Sequence, residues 1–536
     1  MPGIVGIISD PAVAGNQGRI QQMVSSLATD PAYEQRTVLA SELGVVTGWV
    51  GTRHGCSGPG IYSHPQHHTT LLLAGECFPS ASEAIIEHAS ADKANDRCHW
   101  LLEEYARIGE QCLAKSDGLF AGLIIDRRAG RVLLFNDRYG MERIYVHEAR
   151  DFFYFASEAK ALLRVLPEVR EFDEDGIADF LSLGFTTEWK TLFRNLQVLP
   201  GGSILSFSGG NKVDSRYFTP PEWEVQSRLN ADEFEQKFPA VFKRSLPRYL
   251  TCGSELGLSV TGGLDTRMIM AFLQEDRATP ITYTFVGESD ALSPLDATIG
   301  RKVADICNLE HHIIPLESDF FADFQSFADR TVFHTDGTLG VTGAHEMYYG
   351  ARARALAPIR LTGNYGSEVL RRVSEFKRFE LASGLLRPEL RARIKSIIEP
   401  TPIENSASFA AFKAIPWRLY GNYAANRSEV TLRTPFLDAE IVAFACRRPK
   451  ELRGSSEPAA RLIQKGNPRL ARIPSDMGYL GEDAGRLGKA FRYAWNRSCF
   501  KMDYYHTAGL PGKLSVFDPA LDQFASRLPL FGKHKF

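Results

Sequence analysis

Residues 256–268 read LGLSVTGGLDTRM. The apolar run through Val260 has the pattern of a buried strand, and TRMIMAFLQE after it has helical periodicity. Between them Thr261, Gly262, Gly263, Leu264, Asp265 and Thr266 must turn the chain. Adjacent glycines let backbone approach a phosphate closely, and the first turn of a helix offers unpaired N–H groups at a positive dipole end. Thr261 and Thr266 add hydroxyls. Asp265 cannot donate to phosphate, but its carboxylate suits Mg²⁺ held between phosphates. The spacing is not G-x-x-x-x-G-K-[ST], which disfavours a P-loop nucleotide hydrolase. A plain strand-to-helix turn with a capping threonine is the competing reading.

The neighbouring segments set this turn in context. PITYTFVG and EHHIIPL are strand-like, and DATIGRKVADICN between them is helical. Strands alternating with helices predict a parallel sheet with crossover helices, followed by a mostly helical part from Thr331 onward. Upstream, GIVGII, TTLLLAGE, LFAGLIID, RVLLFND, FFYFAS and SILSFS are short apolar runs interrupted by helical patterns such as QGRIQQMVSSLA. They predict a layered α/β arrangement of mostly antiparallel strands. A Gly/Pro/Ser-rich stretch leads to a linker near residues 218–225, so two domains are expected, 1–222 and 223–536.

The 536-residue chain is 44% hydrophobic and 24% charged with a net charge of −2, which argues for a globular protein without broad affinity for nucleic acid or anionic membrane. No apolar run reaches the roughly 18 residues of a membrane span, and no signal-peptide pattern opens the chain, so a cytoplasmic protein is expected. The eight cysteines include no CxxC pair and are too sparse for a disulfide scaffold; Cys56 and Cys77 read as packing residues. His64, His67 and His68 in HPQHH are the nearest approach to a metal cluster, in a Gly/Ser/Pro-rich loop.

SVTGGLDTR resembles the pyrophosphate loop of the ATP pyrophosphatases, usually SGG-x-DS, with threonine for both serines. Over nearly the whole chain the sequence resembles the asparagine synthetase and β-lactam synthetase-like family. The resemblance implies an α/β fold: an N-terminal Ntn-hydrolase-like αββα sandwich, then an ATP-pyrophosphatase (adenine nucleotide α-hydrolase-like) domain with a parallel sheet and a helical C-terminal part. It implies ATP and Mg²⁺ as cofactors. Val260, Thr261, Gly262, Gly263, Asp265 and Thr266 would hold phosphates, and Val286 at the end of TYTFV would line the adenine pocket. LTGNYGSEVL resembles the second active-site loop, often SG-x-G-x-DE, which brings Thr362 and Gly363 near the nucleotide. An ungapped register puts Ser367 at the metal position. A one-residue insertion at Asn364 puts Glu368 there, and Glu368, the acid of this loop, is assigned to the metal with Asp265. TLRTPFLDAEIVAFACRRP matches the family's PFLD segment in register from Arg433 to Asp438, and is read as a structural helix cap. Relatives carry a lysine near the C-terminal end that stabilises charge in the transition state. Here Ser475 and Asp476 stand in its place, and Arg461, Lys465 and Arg472 are the candidate cations.

The first domain resembles the glutamine amidotransferase domain of the N-terminal-nucleophile type, in GIVGI, Gly75-Glu76, DGLFAGLIID, NDRYGMERIYV and FASEAKALL. Members begin Met-Cys-Gly-Ile, and the cysteine thiolate attacks glutamine. This chain has Pro2, which lacks a thiol, and Ala74 where the family's asparagine helps bind the oxyanion. The substrate-binding patterns are also missing from GTRHGCSGPGIYSHPQ, so no glutaminase activity is expected. The resemblance therefore implies an ATP- and Mg²⁺-dependent amide-bond-forming ligase that adenylates a carboxylate. The substrate would be a small molecule, peptide or sugar acid, with an amine or ammonia as nucleophile; a homodimer is allowed for. The alternatives are an asparagine synthetase using ammonia and a non-catalytic homologue that keeps the scaffold.

Overall fold

Short β-branched and aromatic runs in the first part of the chain form twelve strands: β1 (Gly3–Ser9), β2 (Tyr33–Ala40), β3 (Val45–Thr52), β4 (Ile61–His64), β5 (Thr69–Pro79), β6 (Ser116–Asp126), β7 (Arg131–Asn136), β8 (Tyr145–Glu148), β9 (Phe152–Ala156), β10 (Gln197–Val198), β11 (Ser203–Ser208) and β12 (Asn211–Arg216). The computed structural model describes residues 1–11, 16–52, 60–64, 66–80, 93–251, 255–273, 279–287, 295–371, 375–379, 384, 386–396 and 403–475. Cys56 and most of the SDMGYLGED segment lie outside the described residues.

These strands make two six-stranded sheets, ordered β10-β8-β9-β1-β3-β2 and β12-β11-β7-β6-β5-β4. Every pairing in them is antiparallel, and β1 lies in the middle, between β3 and β9. Alternating residues of both sheets, among them Ile4, Trp49, Leu72, Leu123 and Leu134, share one core between the layers. Helices Gln17–Leu27 and Ala159–Val165 cover the outer face of the first sheet, and Lys93–Ile108 covers the second. The result is the layered, antiparallel α/β arrangement that the strand and helix patterns predict, in the αββα form that the resemblance implies.

The remaining strands, β13 (Leu256–Ser259), β14 (Ile281–Val286), β15 (His311–Pro315), β16 (Ile359–Leu361) and β17 (Thr431–Arg433), form a wholly parallel sheet ordered β15-β14-β13-β16-β17. The chain first builds outward from β13 to β15 and then returns to place β16 on the other side of β13. The order therefore reverses between β13 and β16. In open parallel sheets the crevice outside the carboxyl ends at such a reversal is where ligands bind. Helices dominate after Thr335, as expected, and no helix among the described residues is long and apolar enough to cross a membrane.

The two parts of the chain share buried contacts. Met1, Phe78, Leu119 and Tyr139 belong to the same apolar cluster as Phe238, Met268 and Phe436. The PFLD segment lies at this junction. Asp438 caps the helix Ala439–Cys446 by accepting from the Glu440 N–H, and Thr434 accepts from the Phe436 N–H. The cap reading of this motif is what the structure contains.

Candidate nucleotide loop and the cavity at residue 2

The strand β13 delivers Thr261–Asp265 to the carboxyl edge of the parallel sheet, and the helix Asp265–Met270 follows directly. The loop after β16, Thr362–Gly366, comes to the same edge. The two loops touch where the second places glycines against Asp265 and Thr266 of the first. A Cβ on Gly363 would lie 2.5 Å from the Thr266 amide nitrogen, and one on Gly366 would lie 2.7 Å from Asp265 Cγ. Such separations are shorter than real Cβ contacts, so any larger residue at either position would force its neighbours to shift. Between them Tyr365 is buried with φ +71°, a left-handed conformation unusual for an aromatic residue. It directly follows Asn364, where one register of the resemblance places an insertion.

The polar groups of these loops are engaged by this chain. Asp265 Oδ1 accepts from Arg371 Nη1 at 2.7 Å, and Oδ2 accepts from Arg371 Nη2 and Ser367 Oγ, each at 2.8 Å. Arg371 Nη2 also contacts Ser367 Oγ. The Gly262 N–H donates to Asp296 Oδ1 at 2.8 Å, and Thr266 Oγ1 donates to the Ser259 carbonyl. Buried Arg267 ties the turn together, donating to the Gly262 carbonyl and to the carbonyls of Ile473 and Pro474. Arg267 thus joins the first loop to Ile473 and Pro474, next to Ser475 where the resemblance implies a lysine in the family. Sequence reading passed over Arg267, Asp296 and Arg371; only the position of Arg267 inside the loop motif could have signalled one of them.

The other expected residues are placed as follows. Val260 and Val286 are buried, with the Val286 carbonyl accepting from Tyr349 Oη and the Leu316 N–H. Thr362 is buried and its hydroxyl donates to Asn364 Oδ1. Arg461 is exposed and paired with Glu235 and Glu457, and Lys465 and Arg472 are exposed.

Glu368 is half-buried, and burial first, then the nearby Asp265 charge, pushes its carboxyl pKa up. What touches Asp265 from the second loop is Ser367, with Arg371 one turn on; Glu368 reaches it only as a charge. The expected metal pair, Asp265 and Glu368, is thus related by charge proximity rather than by a shared hydrogen bond. Both Asp265 oxygens already carry donors from Arg371 and Ser367, so in this arrangement Asp265 offers Mg²⁺ no open oxygen.

A cavity of about 640 Å³ opens at residue 2, away from the glycine turn. Pro2, Trp49, Ala74 and Gly75 line one side; Arg427 and Arg433 line the other. The Pro2 carbonyl accepts from Arg427 Nη2 at 2.6 Å. Arg427 also pairs with Glu142, whose carboxyl pKa burial raises to about 7 against the opposing pull of Arg427. Met1 is fully buried, and its amine donates to the Leu27 carbonyl at 2.6 Å and pairs with Glu158 at 2.8 Å. With Met1 in place the Pro2 nitrogen is a tertiary amide, neither base nor nucleophile. Among the described lining residues there is no thiol; Cys77 is buried, and burial raises its thiol pKa.

His64, His67 and Glu103 place potential ligand atoms within 4.8 Å of one another. His64 Nδ1 accepts from the His67 N–H, which leaves Nε2 to carry the proton and donate to Glu103 at 2.7 Å. That is hydrogen bonding without need of a metal.

Fold and site together define the class: an amidotransferase-type αββα sandwich carried on one chain with a doubly wound parallel sheet. The family model described as a glutamine amidotransferase domain matches residues 60–218. Asparagine synthetase [glutamine-hydrolyzing] 1 of Bacillus subtilis is 24% identical over 272 residues, covering 50% of this chain and 42% of that protein. Putative asparagine synthetase [glutamine-hydrolyzing] 2 of Methanocaldococcus jannaschii is 22% identical over 284 residues, covering 50% of this chain and 52% of that protein. Asparagine synthetase [glutamine-hydrolyzing] 3 of B. subtilis is 26% identical over 194 residues, covering 34% and 31%. The chain spans about half the length of the first two relatives and less of the third. The chain is thus similar to a glutamine amidotransferase domain over residues 60–218 and to asparagine synthetases over about half its length.

Proposed function

We propose that this chain is an ATP-dependent carbon–nitrogen ligase that adenylates a substrate carboxylate, releases pyrophosphate, and joins the acyl group to an amine or ammonia. The observation that carries the reading is the meeting of Thr261–Thr266 with Thr362–Gly366 at the strand-order reversal of the parallel sheet. The relatives' names support ATP as the energy source, since asparagine synthesis of this kind consumes it. Domains divided near residues 222 and 223 would separate the sandwich from this ligase half. The sandwich would serve as architecture, because Pro2 and Ala74 supply neither a nucleophile nor an oxyanion donor. Nitrogen would then come from free ammonia or from an amine on the substrate.

In this reading Arg267 holds the turn rigid, and Arg371 supplies fixed positive charge beside the loop. The test is pyrophosphate release from ATP with small-molecule, peptide and sugar-acid carboxylates, each with ammonia or an amine. Release that depends on a carboxylate, and is lost in Asp265→Asn, supports the proposal. A protein that neither binds ATP nor releases pyrophosphate ends it.

A second reading, a non-catalytic homologue, is favoured by one observation. The Asp265 carboxylate and the Gly262 N–H, the groups a nucleotide complex would use, are both bonded within the chain.

A further inference from the structure

We infer that Arg371 is the resident cation of the glycine loop and keeps divalent metal off Asp265 in the nucleotide-free protein. The inference rests on reading this loop as the nucleotide site and specifies how its charge is balanced. A carboxylate offers two oxygens to a cation. Here one guanidinium takes both, Nη1 on Oδ1 at 2.7 Å and Nη2 on Oδ2 at 2.8 Å, in the fork geometry that suits carboxylate best. Ser367 Oγ donates a further bond to Oδ2 at 2.8 Å. Gly366 closes the approach beside Oδ1, since even a Cβ there would lie 2.9 Å from that oxygen.

The arginine is not a loose surface side chain. Its backbone N–H donates to the Ser367 carbonyl at 2.9 Å, its carbonyl accepts from the Gly454 N–H at 3.1 Å, and its side chain is 17% exposed. Mg²⁺ holds its waters tightly and demands near-octahedral oxygen geometry. To reach Asp265 it would have to lose water, displace the fork and sit beside the displaced positive charge. Among the described residues the site therefore already contains its cation, built from the chain at Arg371.

Metal binding measured without nucleotide tests this independently of catalysis. Full-length protein is titrated with Mn²⁺, and free Mn²⁺ is read by electron paramagnetic resonance. In the wild type, Asp265→Asn is expected to leave Mn²⁺ binding unchanged. Arg371→Gln is expected to gain one Mn²⁺ site, at least about tenfold tighter than any wild-type site. The double variant Asp265→Asn/Arg371→Gln loses that site. Arg371→Lys, which keeps the charge without the fork, falls between, and far-UV circular dichroism checks each fold. Wild-type Mn²⁺ binding that Asp265→Asn abolishes overturns the proposal. So does an Arg371→Gln protein, folded, that gains nothing. Loss of the ligase reading through absent pyrophosphate release leaves this outcome standing, because no ATP enters the titration.

Discussion

Arg433 grips both carboxylate oxygens of Glu76, with Nε and Nη2 each 2.6 Å from their acceptors, although 357 residues separate the two in the chain. Both side chains are buried, and Arg433 Nη1 also donates to the carbonyls of Tyr249 and Thr251. Glu76 belongs to the Gly-Glu pair of the sandwich, Arg433 to the segment before PFLD. One buried ion pair thus bolts β5 of the sandwich to β17 of the parallel sheet. Removing one partner strands the other charge, which costs about 3–5 kcal/mol. Arg433→Met should lower the denaturant midpoint accordingly, and Glu76→Gln/Arg433→Met should recover part of the loss. A change below about 1 kcal/mol in the single variant would mean water reaches the pair.

Contact between the two loops of the parallel sheet predicts a separable effect. Gly366→Ala would place a methyl against the Asp265 side chain, which the Arg371 fork prevents from moving aside. We expect a loss of about 1–3 kcal/mol in stability with the overall fold kept. Binding of a fluorescent ATP analogue should fall more than thermal stability does. Equal loss of both would mean that the loops matter only for packing.

The cavity at residue 2 predicts a negative result. Pro2→Cys alone should release no glutamate from glutamine in a coupled glutamate dehydrogenase assay. Ala74, paired opposite Ala121, still provides no oxyanion donor, and the Met1 amine is held by Leu27 and Glu158. Glutamate production by this single variant would show that the pocket had lost only its nucleophile.

A buried acidic cluster sets a pH dependence. Asp117 accepts from the Gly118 and Ala439 N–H groups and lies 3.5 Å from Arg248, which also approaches Asp438 at 3.2 Å. Burial, reinforced by the Asp438 charge, pushes the Asp117 carboxyl pKa above the ordinary aspartate range. The folded chain therefore holds this proton after the unfolded chain has released it. Its contribution to stability falls as pH rises from about 4, and levels off once the folded form has ionised as well. The melting temperature measured against pH should fall across that window less steeply in Asp117→Asn than in the wild type. Identical slopes would show that Asp117 ionises at its ordinary pKa.

Much of this molecule was legible in its sequence because the signals are local. Strand runs bounded by glycine and aspartate, alternation of strands with helices after residue 256, and the Gly262-Gly263 turn depend on neighbours along the chain. The absence of a thiol at residue 2 was equally plain, because proline has none whatever surrounds it. The sequence by itself therefore determined a layered antiparallel part, a parallel sheet, and a glycine loop following its first strand. Tertiary structure decided which charges answer one another. Asp265 meets Arg371 across 106 residues, and Gly262 meets Asp296 across 34. No period or motif records such pairings, since they follow from the strand order that sets β16 on one side of β13 and β14 on the other. That geometry assigned to an arginine the carboxylate that sequence reading had given to a metal.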